Sequence, residues 1–556
     1  MITSTTFWPG IALVGACSIW CAYVNDIVPA PYLDEVFHVR QAKAYCDGNF
    51  KQWDPKITTP PGLYLAALPY AHLLGGCSIP TLRALNIICL VLMFIVLSHT
   101  GFEPQVKIRS RSSRTGVATQ TALNIALFPP LFFFSGLFYT DIISTLAVLL
   151  FLKIHYARLT ALTSKDGTPQ GNLLRVSLLI TLGLFALLCR QTNIIWVGIF
   201  PAISTAFEFL KSEDYGGRET DRCVRSVGDV IRCSWESLIV YDPPVEFAEI
   251  VDYPKATLSV CIVAIRRFRI LLSAVIPYVA LLLIFCTSVY LNGGVVLGDK
   301  TNHVITLHFP QMLYIWPYIV FFSWPICIPA LYTSLTRKSF PNIWAMSLVL
   351  NLALVAVHYN TVIHPFILAD NRHYVFYVFR ILRRHVAIKY IVTPIYVFCG
   401  WLALRALGNR SSEIIDAPLD PKHLSEKTVR VRRTKDNSSP PCTVSFVLAW
   451  LIACTLCLVT VPLVEPRYFI IPWVLWRYHL PSIGGIAAKS SRAAATSAVA
   501  EQSFLRKVEA AIMDQRIVLI LETLWFAVVN SVTGYLFLYK GFIWPQEPGN
   551  LQRFMW

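Results

Sequence analysis

The sequence is poor in charge. Asp, Glu, Lys and Arg make up 14% of its 556 residues, where a soluble domain carries about 25%. That deficit excludes a string of water-soluble cores joined by polar linkers. Nucleotide chemistry has no foothold either, since neither G-x-x-x-x-G-K-[ST] nor G-x-G-x-x-G occurs, and these are the turns that cradle phosphates. D-x-D, the pattern of a metal-held sugar nucleotide, is absent too. There is no arginine-rich voltage-sensor helix, no channel-filter motif and no internal repeat, so conduction and repeat-built transport lack their usual signatures. The first residues hold no basic segment and no small-residue cleavage site, so residues 7–27 read as a retained span rather than a signal peptide.

What the chain has instead is long apolar runs. Hydrophobic residues make up 55%, and the mean hydropathy is +0.55. The runs are about 17–25 residues long, the length that crosses a hydrocarbon layer. They predict spans at 7–27, 82–102, 120–138, 141–157, 174–190, 193–210, 270–291, 310–332, 342–359, 390–407, 442–464, 467–482 and 517–540. The expected fold is a single all-α polytopic membrane bundle of about twelve to fourteen helices. Residues 61–76 are apolar but short and hold Pro61, Gly62 and Pro69, so they read as re-entrant or interfacial. Most cysteines, such as Cys17, Cys21, Cys89, Cys286, Cys454 and Cys457, sit in these runs and read as small buried hydrophobes.

The net charge of +16 would suggest nucleic acid in a soluble protein. Here the basic residues fall between apolar runs, where they face lipid headgroups and set orientation. Basic gaps after the second span and at 211–268, 408–440 and 489–507 are therefore placed in the cytosol. Residues 28–80, 292–309, 361–389 and the 464–467 turn then lie in the lumen. The 361–389 segment is itself basic and breaks the simple rule. Residues 408–440 and 484–502 are rich in Ser, Ala and charge and are expected to be mobile. Both N-glycosylation sequons, at Asn409 and Asn437, fall in the first of these and are expected to stay bare. Cys46 and Cys77 share one lumenal segment and could pair in a disulfide, which sequence alone does not decide.

The first lumenal segment carries most of the chemistry. Asp34 and Glu35 are adjacent, and at helical spacing Asp34, His38 and Gln41 share a face. A carboxylate near a low-dielectric surface can serve as a general base, while Asp34 is equally a good N-cap with Glu35 suited to the first turn. Farther on, Trp53-Asp54-Pro55 and Pro60-Pro61-Gly62-Leu-Tyr64 fix a non-helical path. Trp53 offers a face for a sugar ring or an anchor in the aromatic belt. Asp370-Asn371-Arg372-His373-Tyr374 concentrates phosphate-binding donors, although Arg372 could simply pair with Asp370. Lys300 and His303 precede a span, Glu465 and Arg467 stand at a turn, and Arg190-Gln191-Thr192-Asn193 interrupts an apolar region. Ionisable groups at such depth are costly and tend to be paired or functional.

These blocks, with Leu307-His308 and the closing Gln552-Arg553-Phe554-Met555-Trp556, resemble one family along the whole membrane body. It is the dolichyl-phosphate-glucose alpha-1,2-glucosyltransferase family of the N-glycan pathway. The resemblance implies a GT-C glycosyltransferase of the endoplasmic-reticulum membrane, with a lumenal site and a polyprenyl-phosphate sugar as co-substrate. Its partners would be the dolichyl-linked donor, the oligosaccharide acceptor and membrane lipids, with no nucleic acid, no other cofactor and no assigned metal ligand. It implies a beta-linked donor glucose and an alpha product, hence one inversion and one base. By position that base is Asp34 or its neighbour Glu35. Arg372 is the first choice for the donor phosphate, with His373, Lys300 and Arg467 beside it. His38, Trp53, Asp54, Tyr64, Asp370, Asn371 and His303 are assigned to substrate. A mannosyltransferase using dolichyl-phosphate mannose, a transporter or flippase, and a membrane scaffold are the competing expectations.

Overall fold

The computed structural model describes residues 4–99, 111–164, 168–212, 226–300, 306–336, 340–409, 442–461, 463–481, 511–544, 547 and 549–556. Among them, ten helices are long and apolar enough to cross a membrane, and an eleventh, Val444–Leu458, is shorter. The protein is an all-α, multi-pass membrane protein. The ten match ten of the expected spans. Several show mostly lipid-ready surface: only 11% of the apolar window in Ile343–Asn360 and 22% of that in Phe268–Asn292 is buried. Water would penalise that much exposed Leu, Ile and Val, whereas hydrocarbon does not.

Three expected spans come out differently. Residues 120–138 form two pieces, Arg111–Ala126 and Pro129–Phe134, because Pro129 and Pro130 cannot continue a ladder of backbone hydrogen bonds. The 442–464 run ends as a helix at Leu458, and 467–482 becomes a 3-10 turn, Pro466–Phe469, followed by Ile470–Tyr478. In Gln311–Thr336 the backbone leaves helical values at Ser323, between Pro317 and Pro325. The 61–76 segment is the helix Gly62–Leu73. Its first residue lies so close to the backbone of Leu188 that an added Cβ would sit 2.6 Å from that carbonyl oxygen. Glycine is what lets the two helix ends meet.

The chain alternates between two ends. At one end, Tyr139 bonds to the Tyr32 carbonyl, Leu297 N–H to Thr58, His308 N–H to Val459 and Arg372 to Gln552. These contacts join 28–80, 293–310, 361–392, 459–469 and 540–556. At the other end, Val245 and Val444 exchange backbone bonds with Cys442 and Pro243, and Ser445 bonds to Asp242. Cys46 and Cys77 form a disulfide that ties the helix Glu35–Cys46 to the start of Ile79–His99. Most of the 408–440 loop and its Asn437 sequon lie outside the described residues.

Candidate active site

The two adjacent carboxylates have opposite fates. Leu33 takes a left-handed backbone, φ 53°, which is uncommon for a side chain of that bulk. Behind it Glu35 turns wholly inward. Its Oε1 accepts from Arg83 Nε and Phe138 N–H, each at 2.8 Å, and its Oε2 from Arg83 Nη2 at 2.7 Å and Tyr32 N–H at 3.1 Å. Both side chains of the pair are fully buried. A carboxylate so saturated has no lone pair left for a substrate proton.

Asp34 stands at the N-cap position of Glu35–Cys46 but makes no side-chain capping bond. Its Oδ2 accepts from Arg467 Nη1 at 3.1 Å instead. The side chain is 51% exposed although protein surrounds it on most sides, as for a group lining an open cleft. Burial pushes this carboxyl up, but Arg467, with His38 and His373, outweighs burial and holds it below the usual carboxylate range. Arg467 also grips Glu465 at 2.7 Å and lies over the rings of Phe134 and Tyr139, 6.0 and 5.7 Å from their centres. Arg467, not Arg372, is thus the cation facing Asp34.

A second carboxylate, which the sequence reading did not single out, lies at the first turn of Thr140–Thr163. Asp141 is 2% exposed and stands 3.1 Å from Arg190 Nη2, yet neither of its oxygens has an aligned hydrogen bond. Arg190 is oriented by Thr140 at 3.0 Å. The charge of Asp141 acts on both Arg467 and His38, which places all four in one electrostatic cluster. The signal available in sequence was a Thr-Asp step between two apolar runs.

His38 lies beneath this cluster. Its Nδ1 meets the Tyr64 hydroxyl at 2.7 Å and its ring packs edge-on to Tyr139. Burial lowers its pKa to about 4, so the ring is neutral at ordinary pH. Tyr64 is 1% exposed, which withdraws it from direct sugar contact and makes it a support for His38. Trp53 is half-buried, edge-on to Tyr64, with its ring N–H unpartnered. Asp54 is occupied by Arg40 at 3.2 Å and by the Lys56 N–H at 3.0 Å, so its assignment to substrate gives way to a turn role. Gly298 lets its segment lie against Pro55, where a Cβ would be 2.2 Å from the carbonyl oxygen. That contact brings Lys300 beside the 52–58 loop, but its ammonium bonds to the Asn292 carbonyl. His303 lies outside the described residues.

The 370–374 segment is brought to the same end, stitched to the last residues of the chain. Arg372 forks onto Asp370 with two bonds of 2.7 Å and reaches Gln552 at 3.1 Å. Its carbonyl accepts from Met555 N–H at 2.9 Å, and His373 Nδ1 meets the Trp556 carbonyl at 3.1 Å. Arg553 exchanges backbone bonds with the Tyr32 hydroxyl and caps Phe537 and Leu538 with its guanidinium. Asp370 and Arg372 pair with one another, so Arg372, the expected donor-phosphate residue, is held by an acid two residues away. Asn371 Oδ1 and the Tyr374 hydroxyl are buried without partners. Among the described residues no three His, Cys, Asp or Glu side chains gather as metal ligands would.

A bundle of membrane helices that gathers a half-open carboxylate, a buried carboxylate and two guanidiniums at one mouth has the makeup of an integral-membrane enzyme. The chain belongs to the DIE2/ALG10 family, whose model matches residues 28–478. It is 39% identical to a protein of Aspergillus fumigatus and 37% identical to one of Emericella nidulans, in each case over 97% of this chain and 96% of the relative. A Homo sapiens relative is 30% identical over the same shares. All three carry the name Dol-P-Glc:Glc(2)Man(9)GlcNAc(2)-PP-Dol alpha-1,2-glucosyltransferase. No solved structure matches the chain significantly.

Proposed function

We propose that this enzyme moves glucose from dolichyl-phosphate glucose to a diglucosylated, diphosphate-linked oligosaccharide, forming the last alpha-1,2 linkage of the N-glycan precursor at the lumenal face of the endoplasmic-reticulum membrane. The relatives' shared name supports the reaction. The observation that carries the chemistry is Asp34, open to the cleft and 3.1 Å from Arg467. In this reading 28–80 and 361–389 are lumenal, and 211–268 and 408–440 are cytosolic.

One inversion at the anomeric carbon needs one base and no carboxylate nucleophile, the same division that separates inverting from retaining hydrolases. Asp34 takes the proton from the acceptor 2-hydroxyl. Glu35, spent on Arg83, positions it. Dolichyl phosphate leaves as a weak base, so the need is counter-charge rather than a proton. Arg467 supplies it, with His373 facing the same space. Removing one such donor costs about 3–4 kcal/mol of barrier. The arrangement couples the steps. When the donor phosphate takes up the Arg467 charge, Asp34 loses the partner that holds its proton affinity down and becomes the stronger base. Asp141, buried with unpaired oxygens, gains the hydroxyl donors it lacks when a sugar enters. No cofactor enters this account.

Purified protein in lipid nanodiscs, given a diglucosylated acceptor and either dolichyl-phosphate glucose or dolichyl-phosphate mannose, tests the reading. Glucose transfer with an alpha-1,2 product is expected. Equal transfer of mannose would remove the donor assignment.

A further inference from the structure

The reaction proposed above brings two phosphorylated lipids to one enzyme. The donor phosphate is bonded to the sugar that moves, so it must lie in the Asp34–Arg467 cleft. The acceptor's diphosphate lies at the opposite end of a long oligosaccharide from the reacting hydroxyl. It needs another place, and that place must be at headgroup level.

The chain beyond His373 holds one. The helix Tyr374–Leu382 follows that residue, and Arg380, Arg383 and Arg384 line a cavity of about 280 Å³ together with Leu368 and Phe376. Three acids of this end are committed elsewhere: Asp370 to Arg372, and Asp34 and Glu465 to Arg467. Among the described residues, none of the three cavity guanidiniums has an ion-pair or hydrogen-bond partner. Three guanidinium forks without counter-ions around one hollow suit the oxygens of an anion. The volume is at the small end for a ligand pocket, fitting a headgroup rather than a glycan.

The surroundings point to a lipid as the bearer of that anion. Phe366, Val378, Ile381, Val386 and Ile391 are 50%, 53%, 59%, 72% and 67% exposed beside the arginines, as in a segment lying at the boundary of hydrocarbon and water. At 1.5 Å per residue, Arg380 is roughly 10 Å along the helix from His373, and Arg383 and Arg384 follow the end of that helix. In this reading the anion they hold is not the phosphate bonded to the transferred glucose, which stays with Arg467. Such a site also accounts for arginines on a face where the distribution of basic loops does not expect them.

We propose that Arg380, Arg383 and Arg384 form a second phosphate site, which holds the diphosphate of the lipid-linked acceptor. The inference rests on the glucosyltransferase reading. If the wild-type enzyme transferred no glucose, that reading would fail rather than this one.

The test compares full-length wild type with R380Q/R383Q/R384Q in phosphatidylcholine nanodiscs, with a thermal melt as a fold control and the single variant R383Q as a milder step. The acceptor KM is expected to rise at least tenfold in the triple variant, with kcat and the donor KM unchanged. Geranyl diphosphate, a sugarless probe, is expected to inhibit wild type competitively with acceptor but not with donor, and to lose at least tenfold in potency in the variant. An unchanged acceptor KM, equal inhibition of both proteins, or competition with the donor would overturn the assignment. So would a wild-type rate that depends on added phosphatidylserine and loses that dependence in the variant, since the cavity would then serve bulk anionic headgroups.

Discussion

Replacing Glu35 by Gln and Asp34 by Asn separates scaffold from base. The Glu35 carboxylate accepts four hydrogen bonds, two from Arg83 and one each from the Phe138 and Tyr32 N–H groups. A glutamine has one carbonyl oxygen and one amide nitrogen, so two of those four contacts become donor against donor. Arg83 keeps its charge in a site with no exposure, left with the Asn25 and Val28 oxygens at 2.9 Å and Ala30 at 3.2 Å. Breaking one side of such a buried pair costs about 3–5 kcal/mol, a large part of the roughly 5–15 kcal/mol that holds a typical domain folded. Asp34 is half-exposed and Arg467 retains Glu465, so Asp34→Asn costs under about 1 kcal/mol of stability. It removes a general base, worth roughly 10²–10⁴ in rate. The assay pairs a thermal melt in detergent with transfer of radiolabelled glucose to acceptor. Glu35→Gln is expected to melt well below wild type. Asp34→Asn is expected to melt with it and turn over at least a hundredfold more slowly. The reverse pattern, with a stable but inactive Glu35→Gln beside an active Asp34→Asn, would refute the division of roles.

Three further outcomes follow from the same site. Arg467→Ala is expected to lower kcat by about 10²–10³. It also removes the largest influence set against burial at Asp34, so the acidic limb of the kcat/KM profile moves to higher pH; an unmoved limb would place the proton acceptor elsewhere. His38 and His308, both with pKa values lowered to about 4 by burial, bind protons in the unfolded chain before the folded one. Their stabilisation is therefore complete above the unfolded value of about 6.5 and is lost as pH falls toward 4. Melting temperatures taken from pH 7.5 to 5 should drop, and His38→Gln should flatten the slope. Cys46→Ser/Cys77→Ser opens a loop spanning 31 positions, worth about 3–4 kcal/mol in the chain-entropy account, so a melt unaffected by reductant or by the double variant would contradict a structural disulfide.

Much of the architecture was legible because a hydrocarbon layer imposes length, and length is visible in one dimension. Ten runs became ten crossing helices. The failures have local causes: Pro129-Pro130 breaks one run, and Arg467 and Pro466 turn another into a short helix. At the site, the acidic pair was readable but not its split, since adjacent positions on a helix point about 100° apart and only the packing of Arg83 decides which faces inward. Arg372 attracted the phosphate role because its neighbours are polar, yet its nearest acid, Asp370, is two residues away and claims it. Asp141 went unread because one carboxylate between apolar runs has no pattern; its partner Arg190 arrives from another helix. The cavity arginines stood out in sequence only as a violation of loop charge.

Tyr32 and Arg553, 521 positions apart, hold one another by two bonds, the Tyr32 hydroxyl donating to the Arg553 carbonyl and accepting from its N–H, and the segment that includes Trp556 also fixes the loop bearing His373. Residues far apart along the chain thus fix the two segments that carry Asp34 and His373. An insertion between Tyr539 and Trp556 is therefore expected to disturb the placement of Tyr32 and His373 more than a change in the loops at the other end.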